Sequence, residues 1–183
     1  LGATPVAMLA VAIMLIAKVL DWKDILSEKG AWDAMFWMGG LVALATALAK
    51  SGFIAWIAKL IGTAVAAANM GWIASFVLIS LIYIYSHYCF ASVTARISAM
   101  YAAFVAVAAA CGVPAMLVAI TFGCFANLPI SLTHYGNGCG PVYFGAGYVS
   151  QGEWWRNGFI ITTINVVIWL TIGMAWWKFI GLY

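Results

Sequence analysis

Charge is what this chain lacks. Residues 60–152 form a stretch of 93 residues that holds one formal charge, Arg96, and no Asp or Glu at all. Over the whole chain the charged residues amount to 7% against 67% hydrophobic, which excludes the ordinary soluble globular classes. Alternating segments of about ten residues, the mark of a transmembrane β-barrel, are missing as well. The class that remains is an all-α, polytopic membrane protein, because helices satisfy their own backbone groups in lipid. A net charge of +3 spread over loops makes no basic patch, so nucleic acid is not an expected partner. Cys89, Cys111, Cys124 and Cys139 show no Cys-x-x-Cys spacing and are read as buried free thiols, with no metal site.

What the chain has in abundance is apolar sequence bounded by aromatic residues. Trp22, Trp72, Trp154, Trp155, Trp176 and Trp177 sit near segment ends, as interfacial belts do. The chain starts at Leu1 and enters an apolar run with no basic leader or small-residue cleavage site. It is therefore read as the C-terminal portion of something longer.

Residues 1–50 are expected to form two transmembrane helices: Thr4 to Leu20, a charged loop from Asp21 to Gly30, then Ala31 to Ala49 with Gly39-Gly40 as a bend. Residues 51–70 carry Lys59 among apolar residues, with Trp56, Leu60 and Ile61 on one face, and read as an amphipathic arm at the membrane interface. In 71–112 the apolar pattern is broken in its middle by Ser92-Val93-Thr94, which fits a re-entrant hairpin; two full spans also fit its length. Residues 113–150 read as a discontinuous transmembrane helix, opened by Pro114, running to about Ile130 and resuming at Pro141. Between these lies Ser131-Leu132-Thr133-His134-Tyr135-Gly136-Asn137-Gly138-Cys139-Gly140, too rich in glycine to span as a helix. Residues 151–183 supply the final transmembrane helix.

Irregular backbone at membrane depth must be buried in protein or line a watery cavity. Each break also opens a new half-helix, whose free N–H groups attract anions. Ser92 and Thr94 can cap the second arm and offer hydroxyls to a substrate oxygen; capping alone is the plainer reading. Arg96 near the membrane centre needs a partner, because a charge there costs roughly 2.5 to 3.5 kcal/mol on insertion scales. A visiting anion meets that need, and so does an ion pair with a helix outside this chain. His134 and Thr133 lie in the second break, where His134 is a ligand contact or a satisfied structural residue. Asn137, Gly138 and Gly140 can offer amides in a nest-like turn, or make the turn only. His87 is read as structural.

At these breaks the sequence resembles the divalent anion:sodium symporter superfamily, in its di- and tricarboxylate branch. The resemblance rests on Phe90-Ala91-Ser92-Val93-Thr94-Ala95, on Ser131 to Gly136 as written above, and on Pro141-Val142-Tyr143-Phe144-Gly145-Ala146-Gly147-Tyr148. Gly152-Glu153-Trp154-Trp155 and Gly30-Ala31-Trp32-Asp33 continue it. It implies an inverted-repeat homodimer moving a transport domain against a scaffold, an elevator, with this chain as most of the second repeat. It also implies a carboxylate substrate bound by the tip Ser92-Val93-Thr94, where family members typically read Ser-Asn-Thr. Sodium-coupled members carry a Thr-Pro-Pro-like segment where this chain has Asn137-Gly138-Cys139, which favours exchange over sodium coupling.

The resulting expectation is a non-enzymatic exchanger of di- or tricarboxylates in the bacterial inner membrane, with no cofactor. Its site would comprise Ser92, Val93, Thr94, Arg96, His134, Asn137 and Gly138. Two alternatives stay open: a sodium-coupled symporter, and a membrane subunit of a redox enzyme using His87 and His134, which are 47 residues apart.

Overall fold

The computed structural model describes residues 2–183; Leu1 and the side chains of Ala3, Asp33, Ala34, Trp37, Met38, Leu41, Val42, Ala45, Ala49 and Ala66 lie outside the described set. Among the described residues there is no strand. Helices α1 (Ala3–Ile16), α2 (Trp22–Ser27), α3 (Lys29–Lys50) and α4 (Phe53–Ala67) are followed by α5 (Trp72–Tyr85) and α6 (Val93–Ala110). Then come α7 (Ala115–Cys124), α8 (Gly140–Gly145), α9 (Gln151–Ile168) and α10 (Met174–Phe179). Short 3-10 turns cover Ser86–Cys89 and Leu128–Ser131, and a π turn over Trp169–Gly173 joins α9 to α10.

By length and composition, three described segments suffice to cross a bilayer: Trp72–Cys89, Val93–Ala110 and Gln151–Phe179. Polarity is turned inside out to match. Ser80, His87, Arg96, Thr121, Thr133 and Thr162 are fully buried, whereas Ile13, Ile16, Ile164, Val167 and Ile172 face outward. That is the distribution a lipid solvent selects, since lipid rewards apolar contact outside and forces polar groups to find partners within.

Local chemistry sets the boundaries. The expected loop at 21–30 contains a short helix, because Asp21 and Asp24 form a reciprocal cap, with Asp21 N donating to Asp24 Oδ2 across 2.8 Å. Helix α3 runs through Gly39-Gly40 without interruption. Between α6 and α7 the chain turns on Gly112, at φ +82°, with Gly112 N bonded to Ala109 O and Val113 N to Ala108 O. This pair of bonds satisfies orphan carbonyls at the end of α6, and the left-handed backbone requires glycine.

Helix α4 buries Ile54, Ala58 and Val65 and turns Trp56 and Leu60 outward. It lies close to α6: a Cβ at Gly62 would come within 3.0 Å of Val107. The core proper is aromatic, with Tyr83 of α5 stacked on Phe122 of α7 at 4.5 Å between ring centroids and tilted against Phe104 of α6 at 5.7 Å. α5, α6 and α7 thus form one packed unit, and both breaks emerge from it.

Candidate functional site

The first break follows α5. The chain tightens into the 3-10 turn at Ser86–Cys89, extends through Phe90, and re-enters helix at Val93. Ser92 is the N-cap of α6 in extended conformation, its Oγ accepting from Ala95 N at 3.3 Å. The capping role is therefore realised. It leaves the N–H groups of Val93 and Thr94 without partners among the described residues. Ser92 and Val93 are half-buried, and Thr94 is exposed.

Arg96 is fully buried, and its partners are not carboxylates. Nη1 donates to Tyr83 O at 3.0 Å, and Nη2 to Phe125 O at 3.1 Å and Ala126 O at 2.7 Å. The guanidinium also lies 4.6 Å from the centre of the Tyr83 ring. These carbonyls belong to the C-terminal ends of α5 and α7, where helix dipoles place partial negative charge. A cation in the first turn of α6 opposes that helix's own dipole, and the converging ends of two others offset the conflict. Arg96 Nε finds no hydrogen-bond partner among the described residues.

The second break begins earlier than the sequence suggests. α7 stops at Cys124 instead of near Ile130, and the irregular chain extends from Phe125 to Cys139. Pro129 is the cause: it has no N–H to give Phe125 O, and its ring would collide with that carbonyl in a helix. Helix resumes at Gly140 and lasts only to Gly145, short of the expected Val149. Asn137 organises this restart. Its Oδ1 accepts from Cys139 N and Gly140 N, both at 2.8 Å, and its Nδ2 donates to Ile130 O at 3.2 Å. The turn-making role is thus realised, and the Gly140 amide, one of those expected to be offered to a ligand, is capped from within the loop. Gly138 is exposed and a side chain there would meet open space.

The breaks meet. Tyr135 Oη donates to Tyr88 O at 2.9 Å. Gly136 lies so near His87 that a Cβ on it would sit 2.6 Å from His87 Nε2 and 2.9 Å from Thr133 Oγ1. His87 and Thr133 are fully buried, and among the described residues neither His87 ring nitrogen nor Thr133 Oγ1 has a hydrogen-bond partner of good geometry. A Cβ on Gly140 would likewise collide with the carbonyl of His134. His134 itself is half-buried, stacked on Phe144 at 4.4 Å, with Nδ1 accepting from Trp155 Nε1 at 3.3 Å. Among the described residues, no hydrogen bond links 92–94 to 134–138; residues 87–88 and 135–136 make the junction.

Sequence reasoning passed over Tyr88, Tyr135 and Trp155 and set His87 aside. The tandem Trp154-Trp155 reads as an interfacial belt, which concealed that Trp155 turns inward. All four cysteines are free, as expected, but Cys89 and Cys139 are exposed because each lies in a break.

Several relatives of the chain are named as transporters. It is 44% identical over 181 residues to dicarboxylate transporter 1, chloroplastic, of Spinacia oleracea, covering 99% of this chain and 32% of that protein. It is 44% identical over 183 residues to the putative malate transporter YflS of Bacillus subtilis (strain 168), covering 100% of this chain and 38% of that protein. The inner membrane protein YbhI of Escherichia coli (strain K12) is 35% identical over 173 residues, or 94% of this chain and 36% of that protein. The chain thus spans about a third of the length of the curated relatives it matches. The family model described as the sodium:sulfate symporter transmembrane region matches residues 1–183. An integral membrane protein whose helices unwind twice at buried, polar junctions, this chain belongs to that family.

Proposed function

We propose that the chain is part of a dicarboxylate carrier, working by exchange in a bacterial inner membrane and making or breaking no bond. The observation that carries this reading is the meeting of two helix breaks in a region without acidic side chains. The buried charge there is positive, α6 begins there with amides unpaired among the described residues, and the adjoining loop displays His134. Such a place favours an anion on electrostatic grounds alone. The name of the chloroplast relative supports a dicarboxylate as that anion, and that of the Bacillus relative supports malate.

Within the site, Ser92, Val93 and Thr94 supply amides and hydroxyls to a carboxylate, and His134 and Gly138 contribute from the facing loop. Asn137 acts by holding that loop, and Arg96 by fixing the ends of α5 and α7 while adding positive potential. α5 and α6 form a re-entrant hairpin and α7 and α8 a discontinuous helix. α1 to α3 belong to a scaffold, α4 is the interfacial arm, and α9 and α10 make the last span. A homodimer with an elevator motion suits this division.

Counterflow tests the proposal. Proteoliposomes holding the full-length protein and preloaded with malate, succinate or 2-oxoglutarate should take up labelled succinate, and empty vesicles should not. Uptake that needs no internal dicarboxylate would replace exchange with uniport or symport. A sodium-coupled symporter is the second reading, favoured by the family description. Uptake that collapses when sodium is replaced by choline would establish it.

A further inference from the structure

We infer that Trp155 is a positioning residue that holds His134 in the Nε2–H tautomer, so that the ring presents a neutral N–H donor to a substrate carboxylate. The inference rests on the assignment of His134 to the binding site made above.

An indole nitrogen can only donate. Trp155 Nε1 is directed at His134 Nδ1 across 3.3 Å, so Nδ1 must offer its lone pair. A neutral imidazole with a lone pair on Nδ1 carries its proton on Nε2. Nε2 has no partner among the described residues, and the ring is only half-buried, so this donor is available. The imidazolium would set two N–H groups against each other at Nδ1, which selects the uncharged ring.

The ring is held on other sides too. Phe144 stacks on it at 27° between planes, and Tyr135 meets it edge-on at 5.2 Å. Gly140 leaves no room for a Cβ beside the His134 carbonyl, and the neighbouring Tyr135 is tied to Tyr88 across the break. A ring fixed in plane, with one nitrogen engaged and the other open, has a defined donor direction. Glu153 and Arg156, neighbours of Trp155 on α9, are both exposed.

The test is a spectroscopic one on the full-length carrier with 15N-labelled histidine, reconstituted in lipid, the His134 signals being assigned by difference against His134→Gln. The native protein should show His134 with a protonated Nε2 and an unprotonated Nδ1. Trp155→Phe keeps the aromatic packing but deletes the donor. It should convert that signal to a mixture of tautomers and raise the KM for succinate about tenfold, with Vmax within about twofold, the loss of one hydrogen bond to a charged acceptor. A native spectrum with the proton on Nδ1, or on both nitrogens, would overturn the inference. So would a Trp155→Phe spectrum identical to the native one. If His134→Ala leaves the KM unchanged while the native spectrum is as expected, the site assignment has failed and the claim of donor presentation falls with it.

Discussion

Arg96 Nη2 donates to the carbonyl oxygen of Ala126 at 2.7 Å, joining the start of α6 to the end of α7 across 30 residues of sequence. With the bonds to Tyr83 O and Phe125 O, one side chain ties together three helix ends. Arg96→Met is expected to leave these buried carbonyls short of a donor, at about 1–3 kcal/mol for each group left unsatisfied. Arg96→Lys should recover only part, because an ammonium on a flexible stem cannot bridge the same three oxygens as a planar fork. Thermal denaturation in detergent, without substrate, measures this order: native, then lysine, then methionine. Arg96→Met melting with the native protein and differing only in succinate affinity would mean that Arg96 is a ligand and not a tie.

That tie explains what the sequence could and could not disclose. The break at 92 was legible because Ser92 is a strong cap set between apolar runs, and the glycines from 136 to 140 announced the second. The early end of α7 was also written locally, in Pro129, but Phe125-Ala126-Asn127-Leu128 has the apolar look of continuing helix and outweighed it. Nothing local could show that Phe125 and Ala126 surrender their carbonyls to Arg96. The expectation that Arg96 needs a visiting anion or an ion pair with a helix outside this chain counted formal charges only. Helix ends are partial anions as well, and they become available only once tertiary packing aims them at one point.

Gly136 is where the breaks touch most closely. A Cβ there would fall 2.6 Å from His87 Nε2 and 2.9 Å from Thr133 Oγ1, closer than packed atoms approach. Gly136→Ala should therefore push His87 away, separate the two junctions and reduce succinate exchange at least about tenfold, as expected for misplacing a binding loop by a fraction of an ångström. His87→Ala removes the obstructing ring, so the double variant should recover a measurable part of the loss. Proteoliposome uptake by the four proteins of this cycle gives the coupling directly. Strictly additive effects would show that Gly136 and His87 do not oppose each other.

Gly158 and Gly152 lie on the same helix and should respond in opposite ways to alanine. A Cβ at Gly158 would run into the carbonyl of Ser131, whereas one at Gly152 would meet nothing within 4 Å. The first substitution must part α9 from the turn at Leu128–Ser131 and strain the hydroxyl pair Ser131–Thr162, now at 3.4 Å. A loss of about 1–3 kcal/mol is expected, as for other overpacked sites. The second should be neutral or stabilise by up to about 1 kcal/mol through helix propensity. Thermal midpoints of the two variants decide the matter; equal shifts would mean that α9 does not pass so close to the second break.

Cys139 offers a reporter inside the proposed site. It is exposed, and its N–H is held by Asn137 in the turn that also carries Gly138. Cys124 on α7 is half-buried, against the aromatic core. A small hydrophilic maleimide should thus modify Cys139 faster than Cys124. If a dicarboxylate sits between the α6 tip and this loop, succinate at saturating concentration should slow the labelling of Cys139 several-fold and leave Cys124 unaffected. Cys139→Ser should still exchange succinate, since the turn uses the backbone N–H of this residue and not its thiol. Mass spectrometry of labelled peptides from the full-length carrier over a time course reads each rate separately. Labelling of Cys139 that is indifferent to succinate, in protein shown to exchange it, would place the substrate away from this loop and end the case for His134 and Gly138 as its contacts.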